Sequence, residues 1–141
     1  MSDIASSELI QRIIFGRWRE KVKAADELAE IGSSDVVMAL IPLLANQDGK
    51  IRNATALALR EIRNNFAVTP LIEAIRMPEN SENRSTLVYA LETLDCSGHF
   101  LDVFRLALAD KFDVQISALN ILQEQEFLVD DYDVETAVSL L

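Results

Sequence analysis

Apolar residues recur along this chain at the spacing of an α-helix, in windows about 31 residues apart. In the segment that begins at Ile51, they fall three and four residues apart, which places them on one face of a helix. Leu28, Leu59, Leu91 and Leu122 hold the same position in four such segments. The pattern therefore predicts four copies of an amphipathic helix.

A second amphipathic helix follows each of these segments, with core positions spaced three, one and three residues apart. A partial copy precedes them all, so we expect about nine helices: a half repeat at residues 1–17 and pairs at 18–48, 49–80, 81–111 and 112–141. The second-helix core positions are Val37, Leu40, Ile41 and Leu44; Val68, Leu71, Ile72 and Ile75; Phe100, Val103, Phe104 and Ala107; Val134 and Val138; and, in the half repeat, Leu9, Ile10 and Ile13.

Residues that favour turns and helix caps lie between the predicted helices. Gly16 and Gly32 stand where a helix is expected to end, since glycine adopts the left-handed conformation that closes many helices. Thr69 and Pro70 are typical of an N-cap followed by the first helical residue. Pro42 falls inside a predicted helix, so we expect a kink or a late start there.

A basic residue recurs together with the apolar columns. Arg52 aligns with Arg84 in the next copy, and Lys21 and Gln115 hold the same position in the outer copies. Three basic groups on one edge raise the possibility of DNA binding. The acidic balance of the chain and the lack of interleaved aromatic residues favour a structural role instead.

The segment Ile51-Arg52 … Ala58-Leu59 … Ile62, preceded by Asp48, resembles the first-helix signature of HEAT repeats, in the short form also seen in bilin-lyase-like proteins. The resemblance runs from Leu9 to Leu141. It implies an all-α, right-handed solenoid that forms one domain over residues 1–141. In that family the arginine and aspartate link neighbouring repeats, which implies a link between Asp48 and Arg52 and a similar role for Arg84.

The acidic residues are unevenly distributed. The net charge is −10, and residues 1–76 hold ten Lys/Arg and ten Asp/Glu, whereas residues 77–141 hold three and thirteen. An acidic C-terminal half disfavours nucleic acid and anionic membranes, and it favours a basic protein partner. Solubility alone is the alternative explanation of this charge.

The sequence has no feature that predicts export or membrane insertion. Its N-terminus lacks a basic segment followed by an apolar run, and the longest apolar stretch, residues 36–45, is shorter than the ~20 residues that span a bilayer. A single cysteine cannot form an internal disulfide, which fits a reducing compartment. We expect a cytoplasmic protein.

Two segments gather residues that could carry chemistry. Cys96 and His99 lie three residues apart, but no third group is evident to orient a base, and a zinc site needs about four ligands. In register they fall in the turn of the third helix pair. Residues 126–135 contain alternating carboxylates but lack the glycine and glutamate of a calcium loop. We therefore expect no catalytic residue, no metal and no cofactor.

The resemblance also implies that the second helices line a concave binding surface. Tyr132 is the large amphipathic residue on that surface and is suited to anchor an interface. The residues expected to contact a partner are Glu73, Asp102, Arg105, Glu126, Asp130, Asp131, Tyr132, Asp133 and Glu135.

These features predict a non-enzymatic protein-binding module, and the best match by analogy is a bacterial immunity protein that neutralises a basic toxin, a nuclease in particular. Nuclease toxins are basic, and an acidic inhibitor associates with them rapidly. The alternatives are a general adaptor, a bilin-lyase-like enzyme that uses Cys96 and His99, and a DNA-repair protein that binds DNA through Arg52 and Arg84. We expect neither nucleic acid nor membrane as a partner.

Overall fold

The computed structural model describes residues 2–141, with side-chain surroundings from residue 4 onward. Over that range the chain forms nine α-helices and three short 3-10 helices and contains no strand, so the predicted all-α solenoid is confirmed. The α-helices are α1 (Ser2–Phe15), α2 (Trp18–Ile31), α3 (Ser34–Leu40), α4 (Gly49–Ile62), α5 (Val68–Arg76), α6 (Ser85–Leu91), α7 (Phe100–Ala109), α8 (Phe112–Glu124) and α9 (Asp131–Leu140). The 3-10 helices are Ile41–Ala45, Asn65–Ala67 and Pro78–Asn80.

The helices stack in two rows. Among the first helices of the pairs, α2 packs on α4, α4 on α6 and α6 on α8. The second helices pack closely on the first helix of the following repeat, as α1 does on α2, α5 on α6 and α7 on α8. Each inner first helix therefore has neighbours on several sides, and Leu28, Leu59 and Leu91 are buried among them.

The local sequence explains most helix ends. Gly32 closes α2 in the left-handed conformation, with φ of 58°, where a side chain would be strained. The expected interruption at Pro42 is confirmed, since α3 ends at Leu40 and the chain continues as a 3-10 helix. The predicted N-cap at Thr69 is wrong: α5 begins at Val68, directly after a 3-10 turn. Pro70 is still in the first turn, where its missing N–H is not needed.

The division into repeats at residues 17/18, 48/49, 80/81 and 111/112 stays a prediction. Three of the first helices begin at the first residue of a predicted repeat: α2 at Trp18, α4 at Gly49 and α8 at Phe112. The third first helix, α6, begins later in its range, at Ser85, because a 3-10 turn and a short loop precede it.

The fourth pair departs from the predicted core. Val134 and Val138 were expected to be buried, but their side chains are 52% and 64% exposed. On α9 the buried residue is Ala137. The reason is the neighbourhood: within residues 2–141 no further first helix packs against α9, so the face that carries both valines meets solvent.

Candidate partner-binding surface

One side chain on each first helix, or at its N-cap in the case of Arg84, donates hydrogen bonds to the C-terminal end of the preceding second helix. Carbonyl groups there have no partner within their own helix and carry partial negative charge, so a cation or an amide N–H stabilises them. The donors and the carbonyl oxygens that they reach, at 2.8 to 3.2 Å, are Lys21 (Ile13, Ile14 and Gly16), Arg52 (Asn46 and Gln47), Arg84 (Ile75) and Gln115 (Ala107 and Leu108).

Two of these three basic residues are buried, and Arg84 is partly buried and paired with Asp110. Lys21 is 4% exposed and Arg52 is 7% exposed, and both are held by backbone oxygens. A phosphate-binding surface needs solvent-facing cations. The contacts therefore support the structural interpretation of the repeated basic position over a DNA-binding one.

The link expected between Asp48 and Arg52 is wrong. The Asp48 carboxylate instead caps α4, its Oδ1 accepting a hydrogen bond from the Lys50 amide at 2.9 Å, which satisfies a free N–H of the first turn. One repeat later a carboxylate does pair with the basic residue: Arg84 donates to Oδ2 of Asp110 at 2.8 Å, which links the start of α6 to the end of α7 within the third repeat.

Cys96 and His99 face different partners. Cys96 is fully buried, and burial raises the pKa of its thiol to about 12. Its Sγ lies 3.6 Å from the carbonyl oxygen of Leu91, whereas Nδ1 of His99 lies 3.5 Å from Oδ2 of Asp102. A thiol that stays protonated and buried at neutral pH is a poor nucleophile, so the geometry favours a structural role for this turn.

Gln125 joins the third and fourth repeats at that same turn. Its Oε1 accepts a hydrogen bond from the Cys96 amide, and its Nε2 donates one to the Leu94 carbonyl, both at 2.8 Å. The equivalent position in earlier copies is apolar, at Ile62 and Leu94. A polar residue in an apolar column was thus the one visible signal of this bridge, and sequence reasoning did not interpret it.

On the second-helix surface, an ion pair spans neighbouring repeats. Arg76 on α5 and Asp102 on α7 form two hydrogen bonds, of 2.8 and 2.7 Å, and this carboxylate raises the pKa of the Arg76 guanidinium. Glu73 and Arg105 lie exposed on α5 and α7, and among the described residues neither has an opposite charge within 4.0 Å. Asp102 is therefore occupied within the protein. Its contact with a partner stays a prediction, as do those of Glu73 and Arg105.

The linker between α8 and α9, residues 125–130, contacts the turn between α6 and α7 and the start of α7. Phe127 packs edge-on against Phe100, with ring centroids 5.7 Å apart, and the Leu128 amide donates to the Ser97 carbonyl at 3.0 Å. Asp130 and Asp133 form a capping box: Oδ1 of Asp130 accepts from the Asp133 amide at 2.8 Å, and Oδ2 of Asp133 accepts from the Asp130 amide at 3.2 Å. These two carboxylates thus begin α9.

The other side chains of this segment face solvent. Glu126, Asp131 and Glu135 are exposed, and in the part of the chain with described side chains no Lys or Arg lies within 4.0 Å of them. Tyr132 is 67% exposed beside them. Asp131 lies in the first turn of α9, where a carboxylate interacts favourably with the helix dipole.

The last repeat is uniformly acidic. Residues 112–141 contain seven Asp/Glu and no Lys, Arg or His. The cations of the chain therefore all precede α8, and the charge of this repeat is not balanced from within. No other repeat has so large an excess of one charge, and such an excess speeds association with an oppositely charged partner.

The described part of the chain has no features of two other classes of site. Among the side chains of residues 4–141, no cluster of three or more His, Cys, Asp and Glu is arranged to hold a metal ion. No helix within residues 2–141 is both long and apolar enough to cross a membrane.

Compared with models of known protein families, residues 7–92 match HEAT repeats. The chain belongs to the HEAT repeat family. No curated protein matches its sequence significantly. HEAT repeats are in general protein-interaction scaffolds, which supports a protein-binding surface at the level of the family. The matched range includes α2 to α6, so the acidic last repeat of this HEAT repeat chain lies outside it.

Proposed function

We propose that this chain is a non-enzymatic, cytoplasmic protein-binding module whose partner is a basic protein. The observation that carries the proposal is the uncompensated charge of residues 112–141, seven carboxylates without a basic residue, on the end of a HEAT repeat stack. The exposed carboxylates of Glu126, Asp131 and Glu135, with Tyr132 among them, are the proposed centre of contact. Nucleic acid and anionic membrane are disfavoured by the same charge.

The partner that we propose is a bacterial nuclease toxin, which this chain would neutralise as its immunity protein. A nuclease carries a basic surface because it must bind phosphates. An acidic inhibitor is attracted to that surface, associates rapidly and can occupy the place of the phosphates. The burial of Cys96, which raises the pKa of its thiol to about 12, fits an inhibitor better than an enzyme that uses this cysteine.

The test uses the partner recovered by affinity capture from the organism that encodes this chain. We expect a basic protein that arrests growth when expressed alone, and growth that recovers when this chain is expressed with it. The purified pair should dissociate steeply with added salt, because screening removes the attraction between exposed charges. A non-toxic partner would refute the immunity proposal, and salt-insensitive binding would favour an adaptor whose acidity serves only solubility.

A charge-neutralising pair of substitutions locates the contact. Asp131→Asn with Glu135→Gln keeps side-chain size and removes two exposed carboxylates. We expect about three- to tenfold weaker association at low salt and a smaller difference at high salt. The matched control is Asp26→Asn with Glu30→Gln, which removes two exposed carboxylates from α2. Equal effects of the two double variants would show that only net charge matters and that the proposed centre is wrong.

A further inference from the structure

The last first helix exposes an apolar position that the earlier ones bury. Ala25, Ala56 and Val88 hold equivalent places on α2, α4 and α6, and their side chains are 1%, 0% and 0% exposed. The equivalent residue on α8 is Leu119, which is 45% exposed. Ile116, one turn earlier on the same face, is 43% exposed.

The last second helix shows the same difference. Leu40, Leu71 and Val103 are equivalent and fully buried, whereas Val134 on α9 is 52% exposed. Val138, one turn later on this face, is 64% exposed. Exposed apolar residues scattered singly are ordinary, but here both rows of helices expose a position that is buried in every earlier copy.

The packing of the earlier helices indicates what could cover these exposed positions. A single helix, α8, packs on both helices of the third repeat, α6 and α7. Within residues 2–141 no helix takes that place against α8 and α9. We call the surface formed by Ile116, Leu119, Val134 and Val138 the end face. A single helix laid on it would repeat the contacts that α8 makes one repeat earlier.

The charge of the last repeat indicates which kind of helix would bind. This repeat has seven carboxylates and no basic residue, and Asp131 and Glu135 are exposed on α9, the helix that carries Val134 and Val138. Two copies of the chain meeting at this face would each bring a charge of −7, which disfavours self-association. We propose that the end face binds a basic amphipathic helix of a protein partner, with apolar residues against the end face and Lys or Arg towards the exposed carboxylates of Asp131 and Glu135 on α9. This rests on the proposed function only in taking the partner as a basic protein, since no toxin is required.

The test uses a designed probe rather than the natural partner. The probe is a fluorescently labelled peptide of leucine and lysine, roughly 18 residues long because shorter isolated helices are marginal in water, with its leucines on one face. One comparison peptide has the same composition in scrambled order, and another replaces lysine by glutamate. In anisotropy titrations we expect the helical lysine peptide to bind about tenfold or more tightly than the scrambled one, and the glutamate peptide not to bind. Equal binding of the scrambled peptide would overturn the proposal, because charge alone would then suffice.

Substitutions on the end face give the second arm. Leu119→Ser and Val138→Ser should each weaken binding of the lysine peptide by about fivefold or more, as loss of an apolar contact at an interface does. The side chains are 45% and 64% exposed, so the fold should survive, which circular dichroism would verify. The control is Met38→Ser on α3, an apolar residue 61% exposed and outside the end face, which should bind as wild type does. Unchanged binding by both end-face variants, or a stable dimer in sedimentation, would overturn the proposal and leave the toxin hypothesis to its own test.

Discussion

Replacing Lys21 with methionine should destabilise the protein more than any exposed charge substitution. Lys21 is 4% exposed, and its ammonium donates to the carbonyls of Ile13 and Gly16 at 2.8 Å and to that of Ile14 at 3.2 Å. Methionine keeps the length and the apolar stem of the side chain but cannot donate. The substitution therefore removes the hydrogen bonds between Lys21 and the end of α1 without leaving a large cavity.

The expected loss follows from the number and kind of the bonds. A hydrogen bond that involves a charged group contributes roughly 1.5–3 kcal/mol, and the three bonds here share one ammonium, so we expect about 2–4 kcal/mol in total. Gln115 makes the same type of contact with two neutral bonds of 3.2 Å, at a partly exposed position. Gln115→Met should therefore cost only about 0.5–1.5 kcal/mol.

Urea denaturation followed by far-ultraviolet circular dichroism measures these differences, provided that the slope of the transition stays constant between variants. Lys23→Met is the matched control, because Lys23 is exposed on the same helix and should change stability by less than about 0.5 kcal/mol. If Lys21→Met unfolds at the same urea concentration as Lys23→Met, the buried ammonium does not stabilise the helix end and the reasoning is wrong.

Three further outcomes are expected. Gln115→Arg should stabilise the fold by about 0.3–1 kcal/mol in the same urea assay, because it places a cation at the C-terminal end of α7. Gln125→Leu should lose about 1–2 kcal/mol, since the Cys96 amide and the Leu94 carbonyl lose their partners, and faster amide exchange of Cys96 should accompany that loss. Burial raises the pKa of Cys96 from 9.0 to about 12, so the protonated thiol stabilises the fold fully below about pH 9 and progressively less up to pH 12. Between roughly pH 8 and pH 10, wild type should therefore lose more stability than Cys96→Ala, as urea titrations at both pH values would show.

The repeated pattern predicted the inner core well, for a physical reason. A residue such as Leu59 is buried because the same face of each copy meets the same neighbours, so the period in the sequence carries the information. The structural role of the basic column could be anticipated on similar grounds. The role of Asp48 could not be anticipated in the same way. Its carboxylate could either pair with a basic residue of the column or cap α4, and the cap requires no contact between repeats.

Contacts that occur in only one repeat could not be predicted from the repeated sequence pattern. Arg76 pairs with Asp102, but the equivalent positions in other repeats do not repeat this pair of charges. Phe127 packs on Phe100 from the linker between α8 and α9, whose sequence differs from those of the linkers within the earlier pairs. Of the residues expected to bind a partner, the structure shows Asp102 paired internally and Asp130 and Asp133 engaged in a cap, which leaves Tyr132 among the freely exposed ones.

The end of the stack is where binding and stability should be coupled. Inner helices gain stability from neighbours on both sides, whereas α9 buries only Ala137 and the contact that anchors its repeat, Gln115, is neutral. A ligand that covers the end face would supply the missing neighbour and stabilise the folded last repeat by mass action. It should then slow amide hydrogen exchange in α9 far more than in α2. A ligand that binds elsewhere on the chain should not protect α9 selectively, so this measurement tests whether the last repeat is the site of binding.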